Sequence, residues 1–299
     1  MPSFTRFGVD FNGFSASPLY QMVPARDLRR LVFYNDGPDC EIYVDDPAVA
    51  GLSNFINVSG QHLPTGGAAI VDSFAVPRGV RISFTVNGKV PGSTYVLFHS
   101  DAKPGDPNKA LHVSVKAQRT KTVSLISLSD TGGHSGQMTD ADINTMVGRV
   151  RKYYLDQCNV DLHANAVKRV KVQKPLATPI VWDKAKGGVG DILDVLMAVR
   201  SEILTTDIAI LFMWDIAATS DVGVDTLAVC LPDIFRPGSK TILFDDSKDA
   251  YVLAHEVGHA LGLEHNFRTG SLMHRFATST SSALEQFEID TVNDDGVDG

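Results

Sequence analysis

The sequence predicts an α+β protein in two parts: an all-β, sandwich-like region over residues 1–117, then a mixed region of alternating strands and helices over residues 118–299. Three observations carry this reading. Short β-branched and aromatic runs separated by turn clusters fill the first part, where no amphipathic helix stands out. Apolar residues recur at helical spacing only in the second part. The acids are lopsided, 29 Asp against 6 Glu, and Asp favours turns and caps where Glu favours helix interiors.

In the first part, runs at Leu28 to Tyr34, Glu41 to Val44, Ala68 to Phe74, Val80 to Val86, Thr94 to His99 and Leu111 to Val115 read as strands. Turn clusters lie between them, including Asn35-Asp36-Gly37-Pro38 and Pro104-Gly105-Asp106-Pro107. Val86-Asn87-Gly88-Lys89 reads as a two-residue hairpin, because Asn-Gly tolerates the positive φ of a type I′ turn. In the second part, Thr122 to Leu128 is a predicted strand. Thr139 with Asp142 opens a helix whose apolar face runs Ile143, Met146, Val147, Val150, Tyr154. A strand around Val160 to Val172 and a helix over Gly190 to Ile203 follow. Ile208 to Trp214 is a continuous apolar run suited to a central strand, with shorter strands at Leu227 to Leu231 and Thr241 to Phe244. Ser281 to Val292 suits a last helix.

Composition narrows the function classes. At 299 residues and 43% apolar content the chain is long enough for about two domains of ~150 residues. Mean hydropathy near zero with 21% charged residues excludes disordered and fibrous classes. No apolar run approaches the ~20 residues of a membrane-spanning helix. A net charge of -8 without a basic stripe argues against nucleic acid as a partner. Three scattered cysteines, Cys40, Cys158 and Cys230, form no disulfide framework and no C-x-x-C zinc ribbon. Free buried thiols are the expectation, with a Cys158–Cys230 pair as the alternative. The opening Met1 to Gly8 lacks the regions of a secretory leader, so cytoplasmic synthesis with leaderless release or association with an assembly is expected.

The chemistry concentrates in Tyr251-Val-Leu-Ala-His255-Glu256-Val-Gly-His259-Ala-Leu-Gly262-Leu-Glu-His265. Two histidines four apart on a helix share one face, so His255 and His259 can grip one ion. Gly262 ends the helix cheaply in the left-handed region, and the following turn returns His265 as a third ligand. Three neutral imidazoles suit a catalytic zinc that keeps an open fourth position. Glu256, beside the first ligand, is placed to accept a proton from the zinc-activated water. From this chain's own His, Glu and Gly frequencies, a chance match is about 10⁻⁵.

Past His265 comes Ser271-Leu272-Met273-His274. The whole H-E-x-x-H-x-x-G-x-x-H string followed by this methionine turn resembles the metzincin zinc metallopeptidases over residues 118–299. The resemblance implies a catalytic domain with a twisted mixed sheet, an active-site helix, a Met-turn and a C-terminal helix. It implies His255, His259 and His265 as ligands of one zinc, Glu256 as general base and Met273 as the hydrophobic floor of the Met-turn. It implies a zinc-dependent endopeptidase acting on a polypeptide that adds as a strand to a sheet edge, for which Thr226 to Pro232 is the expected segment. Two departures stand out: Asn266 follows the third histidine, and Arg275 stands where astacins carry a tyrosine.

The first part is similar to a small β-module common in phage virion proteins. The likeness covers roughly residues 28–100, through its Arg29-Arg-Leu-Val-Phe-Tyr-Asn strand, its Glu41-Ile-Tyr-Val strand and Gly60-Gln-His-Leu-Pro-Thr-Gly-Gly67. A generic β accessory domain is the plainer reading. The alternative function is thus a virion or assembly protein carrying an auxiliary or self-processing metzincin domain, although the intact ligand set with Glu256 favours the peptidase. His134, in a Gly-Gly-His-Ser-Gly loop, reads as a surface loop residue, and His274 as outside the ligand set. Ca2+ at the Asp45-Asp46 or Asp245-Asp246 turns is the weakest expectation, since neither has EF-hand spacing.

Overall fold

The structure is a computed structural model that describes residues 3–6, 14–16, 19–57, 69–99, 110–182, 191–218, 227–231, 235–274 and 283–293. Two compact units divide the chain. The first comprises Met1–Arg119, Asp156–Asn159 and Leu284–Asn293, and the second takes Thr120–Leu155, Val160–Ala283 and Asp294–Gly299. No helix among the described residues is long and apolar enough to cross a membrane.

The first unit holds two sheets. One has four strands in the order β1 (Ser3–Arg6), β4 (Leu28–Tyr34), β8 (Arg81–Gly88) and β6 (Ala50–Asn57). The other runs β2 (Phe14–Ala16), β3 (Leu19–Pro24), β10 (Leu111–Lys116), β9 (Gly92–His99), β5 (Cys40–Val44) and β7 (Ser73–Val76). Alternation decides which side chains go inside. Ile82, Phe84 and Val86 of β8 and Ile42 and Val44 of β5 enter one hydrophobic core that draws on both sheets. Phe55 of β6 stacks on Phe74 of β7 with ring centroids 3.8 Å apart.

The Asn-Gly expectation fails. Asn87 and Gly88 lie within β8: Asn87 faces Leu28 on one side and Gly51 on the other, and Gly88 faces Ala50. The Asn87 amide donates to Ser53 Oγ at 2.9 Å instead of serving a turn. The chain then leaves this sheet for the other, because β9 pairs with β10 and β5 and not with β8. Strand β6 was not foreseen for a related reason. A register shift between Ser53 and Ile56, with Asn54 at φ 51, breaks the alternation that reveals a strand. The Pro104 to Pro107 cluster and Gly60 to Gly67 lie outside the described residues.

The C-terminal helix α5 (Gln286–Asn293) is fixed to this unit by polar contacts that no local pattern announces. Lys116 Nζ meets Asp290 at 2.8 Å, Gln286 contacts His112 at 2.8 Å, and the Asn293 amide donates to Cys158 O. Ser281 and Ser282, the first residues of the helix expected there, lie outside the described residues.

The second unit is built on a sheet ordered β12 (Val160–Ala164), β11 (Arg119–Ser129), β15 (Ile208–Phe212), β18 (Lys240–Phe244), β17 (Ala228–Leu231), with β13 (Lys168–Lys171) also pairing β11. Strands β11, β15 and β18 run parallel, and β17 joins β18 antiparallel. Helix α1 (Asp140–Cys158) starts at the expected capping box: Asp142 N donates to Thr139 Oγ1 at 3.2 Å, and Thr139 N to Asp142 Oδ2 at 3.1 Å. Ile143, Met146, Val147, Val150 and Tyr154 are all buried, as their spacing requires.

Two expected elements are each broken in two. The strand expected over Val160 to Val172 is interrupted at residues 165–167, leaving β12 and β13. The helix over Gly190 to Ile203 becomes α2 (Asp191–Ala198) and α3 (Arg200–Thr205), separated at Val199, whose φ of -111° and ψ of 12° are not helical. Its first residue, Gly190, lies outside the described residues.

After β11, the loop bearing His134 is organised by Asp130. This buried carboxylate accepts from His134 N, His134 Nδ1 and Leu176 N, each at 2.8 Å. Burial alone would raise its pKa. The hydrogen bonds from Leu176 and His134 outweigh burial and hold it at about 2, against an ordinary 3.8. Its stabilising contribution is therefore complete above the ordinary value and fades as pH falls through about 2. Asp130→Ala, which strands three donors, is expected to cost about 3 kcal/mol at pH 7. Denaturant titrations at pH 7 and pH 2 check this: the deficit should be large at pH 7 and shrink at pH 2, and an equal deficit at both would refute it.

Candidate metal centre

Helix α4 (Ala250–Ala260) follows β18, and Asp249 caps it by accepting from Tyr251 N at 2.8 Å. Its far end closes as the sequence demands. Gly262, at φ 90, lets Gly262 N reach His259 O at 3.0 Å and Leu263 N reach Gly258 O at 2.9 Å. These paired bonds are the Schellman closure that a residue with a Cβ would strain. The chain turns back at once, which brings His265 round to His255 and His259.

The three imidazoles converge through Nε2. The His255–His265 separation is 3.1 Å, and His259 lies 3.2 Å from each of the others. His255 Nδ1 faces Leu272 O at 2.8 Å and His259 Nδ1 faces Leu263 O at 2.7 Å. A carbonyl only accepts, so both Nδ1 atoms carry the proton and both Nε2 atoms point lone pairs inward. Lone pairs at this distance repel unless a cation sits among them. A tetrahedral zinc with ~2.0–2.1 Å bonds sets its ligand nitrogens ~3.3 Å apart, so the donor set fits that ion. Burial lowers the His255 pKa to about 4, which keeps that imidazole neutral and able to ligate.

Among the described residues, these three form the one group of His, Cys, Asp or Glu whose ligand atoms converge for a metal ion. His255 is buried, His259 half-buried and His265 exposed, so the cluster opens to solvent on the His265 side. Glu256 is half-buried next to His255. Burial raises its carboxyl to about 7, partly opposed by the Cys230 backbone N–H that donates to it. That bond ties the α4 carboxylate to β17, the antiparallel strand at the end of the sheet order. Of the Thr226 to Pro232 segment expected at an edge, Leu227 to Leu231 is described, while Thr226 and Pro232 lie outside.

Met273 is fully buried beneath the helix. A Cβ built on Gly258 would lie 2.3 Å from Met273 Sδ and 3.0 Å from the Tyr154 hydroxyl. Gly258 was not singled out in the sequence, although a glycine retained inside a helix signals a packing reason. Asn266, noted only as a departure, braces the loop beyond the third histidine. Its amide donates to Ser271 Oγ at 2.7 Å and its Oδ1 accepts from Arg268 N at 2.9 Å. Arg275 lies outside the described residues.

The remaining candidates have structural occupations. His134 stacks on Trp214 at 5.3 Å in the Asp130 loop, and His274 N donates to Ser271 O at 3.2 Å. The Asp46 and Asp246 carboxylates accept from Ala48 N and Gln137 N, each at 2.9 Å. Cys40 and Cys158 are buried as expected, Cys230 is only half-buried, and none of the three is in a disulfide.

The sequence profile of the Metallo-peptidase family M12B Reprolysin-like matches residues 120–292. A stretch of 76 residues is 36% identical to Matrix metalloproteinase-B of Caenorhabditis elegans, covering 20% of this chain and 15% of that protein's length. Among solved structures, metalloproteinase-II from Bacteroides fragilis is similar at 10% identity and TM-score 0.40, over 92% of this chain and 84% of that one. The zinc-dependent peptidase from Methanocorpusculum labreanum is similar at 12% identity and TM-score 0.34, over 57% of this chain and all of that one.

Proposed function

The chain belongs to the Metallo-peptidase family M12B, Reprolysin-like, by a match spanning residues 120–292, and from that membership we propose that it is a zinc-dependent endopeptidase of metzincin type acting on polypeptides. The observation that carries this reading is the inward convergence of three imidazole Nε2 atoms, two of them, on His255 and His259, held in tautomer by backbone carbonyls. His255, His259 and His265 would hold one zinc, with Met273 in the turn that floors the site. Bound there, zinc supplies a Lewis acid that polarises a carbonyl and acidifies water.

The protein's own groups do the rest. Glu256 is the general base, taking a proton on its carboxylate and returning it to the leaving amine. The Cys230 N–H holds that carboxylate toward β17. An extended polypeptide adds beside β17 as another strand, through backbone hydrogen bonds that do not read its sequence. The two N-terminal sheets, read as a sandwich over residues 1–117, serve as an accessory region that holds the peptidase region, 118–299, to its substrate or a surface.

Metal analysis of the purified full chain, paired with digestion of casein or a peptide library, tests this. One zinc per chain is expected, with hydrolysis lost on chelation and restored by zinc. Hydrolysis that survives complete removal of the metal would overturn it.

A further inference from the structure

Phe267 is 90% exposed, far beyond any other large hydrophobic side chain among the described residues, of which the next, Phe287, stands at 57%. An isolated apolar residue on a surface is ordinary, but this one has a particular setting. It lies two residues after His265, so its Cα is within ~7.6 Å of that residue's Cα by chain geometry alone. His265 is also the exposed member of the triad, on the side where the metal centre opens to solvent.

The loop that carries Phe267 is braced on both sides. Asn266 N donates to Met273 O at 2.9 Å, and Ser271 N donates to Arg268 O at 3.1 Å. The Asn266 side chain bonds both Ser271 Oγ and Arg268 N, and Ser271 Oγ accepts from Met273 N at 3.1 Å. The loop is thus hydrogen-bonded on both sides of Phe267, whose ring stands in water two residues along the chain from a ligand.

We propose that Phe267 is a specificity-determining contact, its ring covering an apolar or aromatic side chain of the bound polypeptide next to the scissile bond. This rests on the peptidase reading above and deepens it by naming a substrate preference. Burying a ring against a matching side chain at a rim gives about tenfold discrimination.

The test uses the full-length, zinc-loaded chain carrying Glu256→Ala, with Phe267 intact, as Phe267→Ser or as Phe267→Leu. The probes are fluorescein-labelled decapeptides with a single Phe moved along an otherwise Ser/Gly sequence, and binding is read by anisotropy. With Phe267 intact, one Phe position should bind about tenfold tighter than the rest. Phe267→Ser should erase that preference, and Phe267→Leu should keep most of it. An equal preference in the serine variant, or no preference in the parent, overturns the proposal. Hydrolysis by the chain with Glu256 restored is scored separately. Hydrolysis without a Phe267-dependent preference would remove the specificity contact and leave the peptidase. A Phe267-dependent preference in binding with no hydrolysis would remove the peptidase and leave the contact.

Discussion

Glu256→Gln is expected to keep the full zinc content and lower peptide hydrolysis at least about 10³-fold, the upper part of the range for a general base. The separation of the two effects follows from geometry. The three Nε2 atoms that converge belong to His255, His259 and His265, and the Glu256 carboxylate instead receives the Cys230 N–H. The amide of Gln is nearly isosteric and can still accept from Cys230 N–H through its oxygen, so α4 and β17 stay joined. It cannot take a proton at neutral pH. The measurement pairs zinc stoichiometry with kcat on one peptide. Retained activity would remove Glu256 from the chemistry, whereas lost zinc would mean that the carboxylate supports the ligand cluster itself.

The candidate site was legible because its information is local. Helical spacing puts His255 and His259 on one face, and Gly262, three residues past His259, ends the helix. Eleven consecutive positions suffice to imply the triad. What supports the site leaves no mark in residue identity. The carbonyls that fix the two ligand tautomers come from Leu272 and Leu263, and a backbone carbonyl exists at every position whatever the residue. The role of Asn266 depends on Ser271 and Arg268 lying across a turn whose shape no spacing rule gives.

The fold divides along the same line. Helix α1 and the run that forms β15 carry strong periodicity or strong apolarity, and both were expected in place. Strand pairing was not legible. Val86 to Lys89 has hairpin chemistry, yet Asn87 and Gly88 are held in β8 by partners more than thirty residues away in sequence, at Ala50 and Gly51. Strands β1, β2 and β3 are short or lack clean alternation, and β14 (Ile180–Trp182) with β16 (Ile216–Ala218) pair as three-residue strands below the length at which a pattern registers. Helix α5 is located by Lys116, His112 and Cys158, more than a hundred residues before it.

Gly258→Ala is expected to damage the centre without touching a ligand. In an exposed helix the change would help by about 1 kcal/mol, since glycine is the poorer helix former. Here the new Cβ meets Met273 Sδ at 2.3 Å and the Tyr154 hydroxyl at 3.0 Å, and both side chains are fully buried. Neither can step aside into space. The Tyr154 hydroxyl is also engaged, donating to Ala254 O on α4 at 2.6 Å. Overpacking of this kind costs about 1–3 kcal/mol, which outweighs the gain in propensity. The strain also reaches the metal. Met273 is bonded directly to Leu272, whose carbonyl orients His255, so pushing the methionine away pulls on a ligand's tautomer and aim. Loss of such outer support lowers metal affinity by about 10–100-fold. Zinc competition against a chromophoric chelator, with thermal melts of both proteins, measures the two effects. The second change Met273→Ala vacates the contested space, so the double variant should recover part of the stability that Gly258→Ala loses. Full additivity in that pair would mean that the glycine is retained for something other than its contact with Met273.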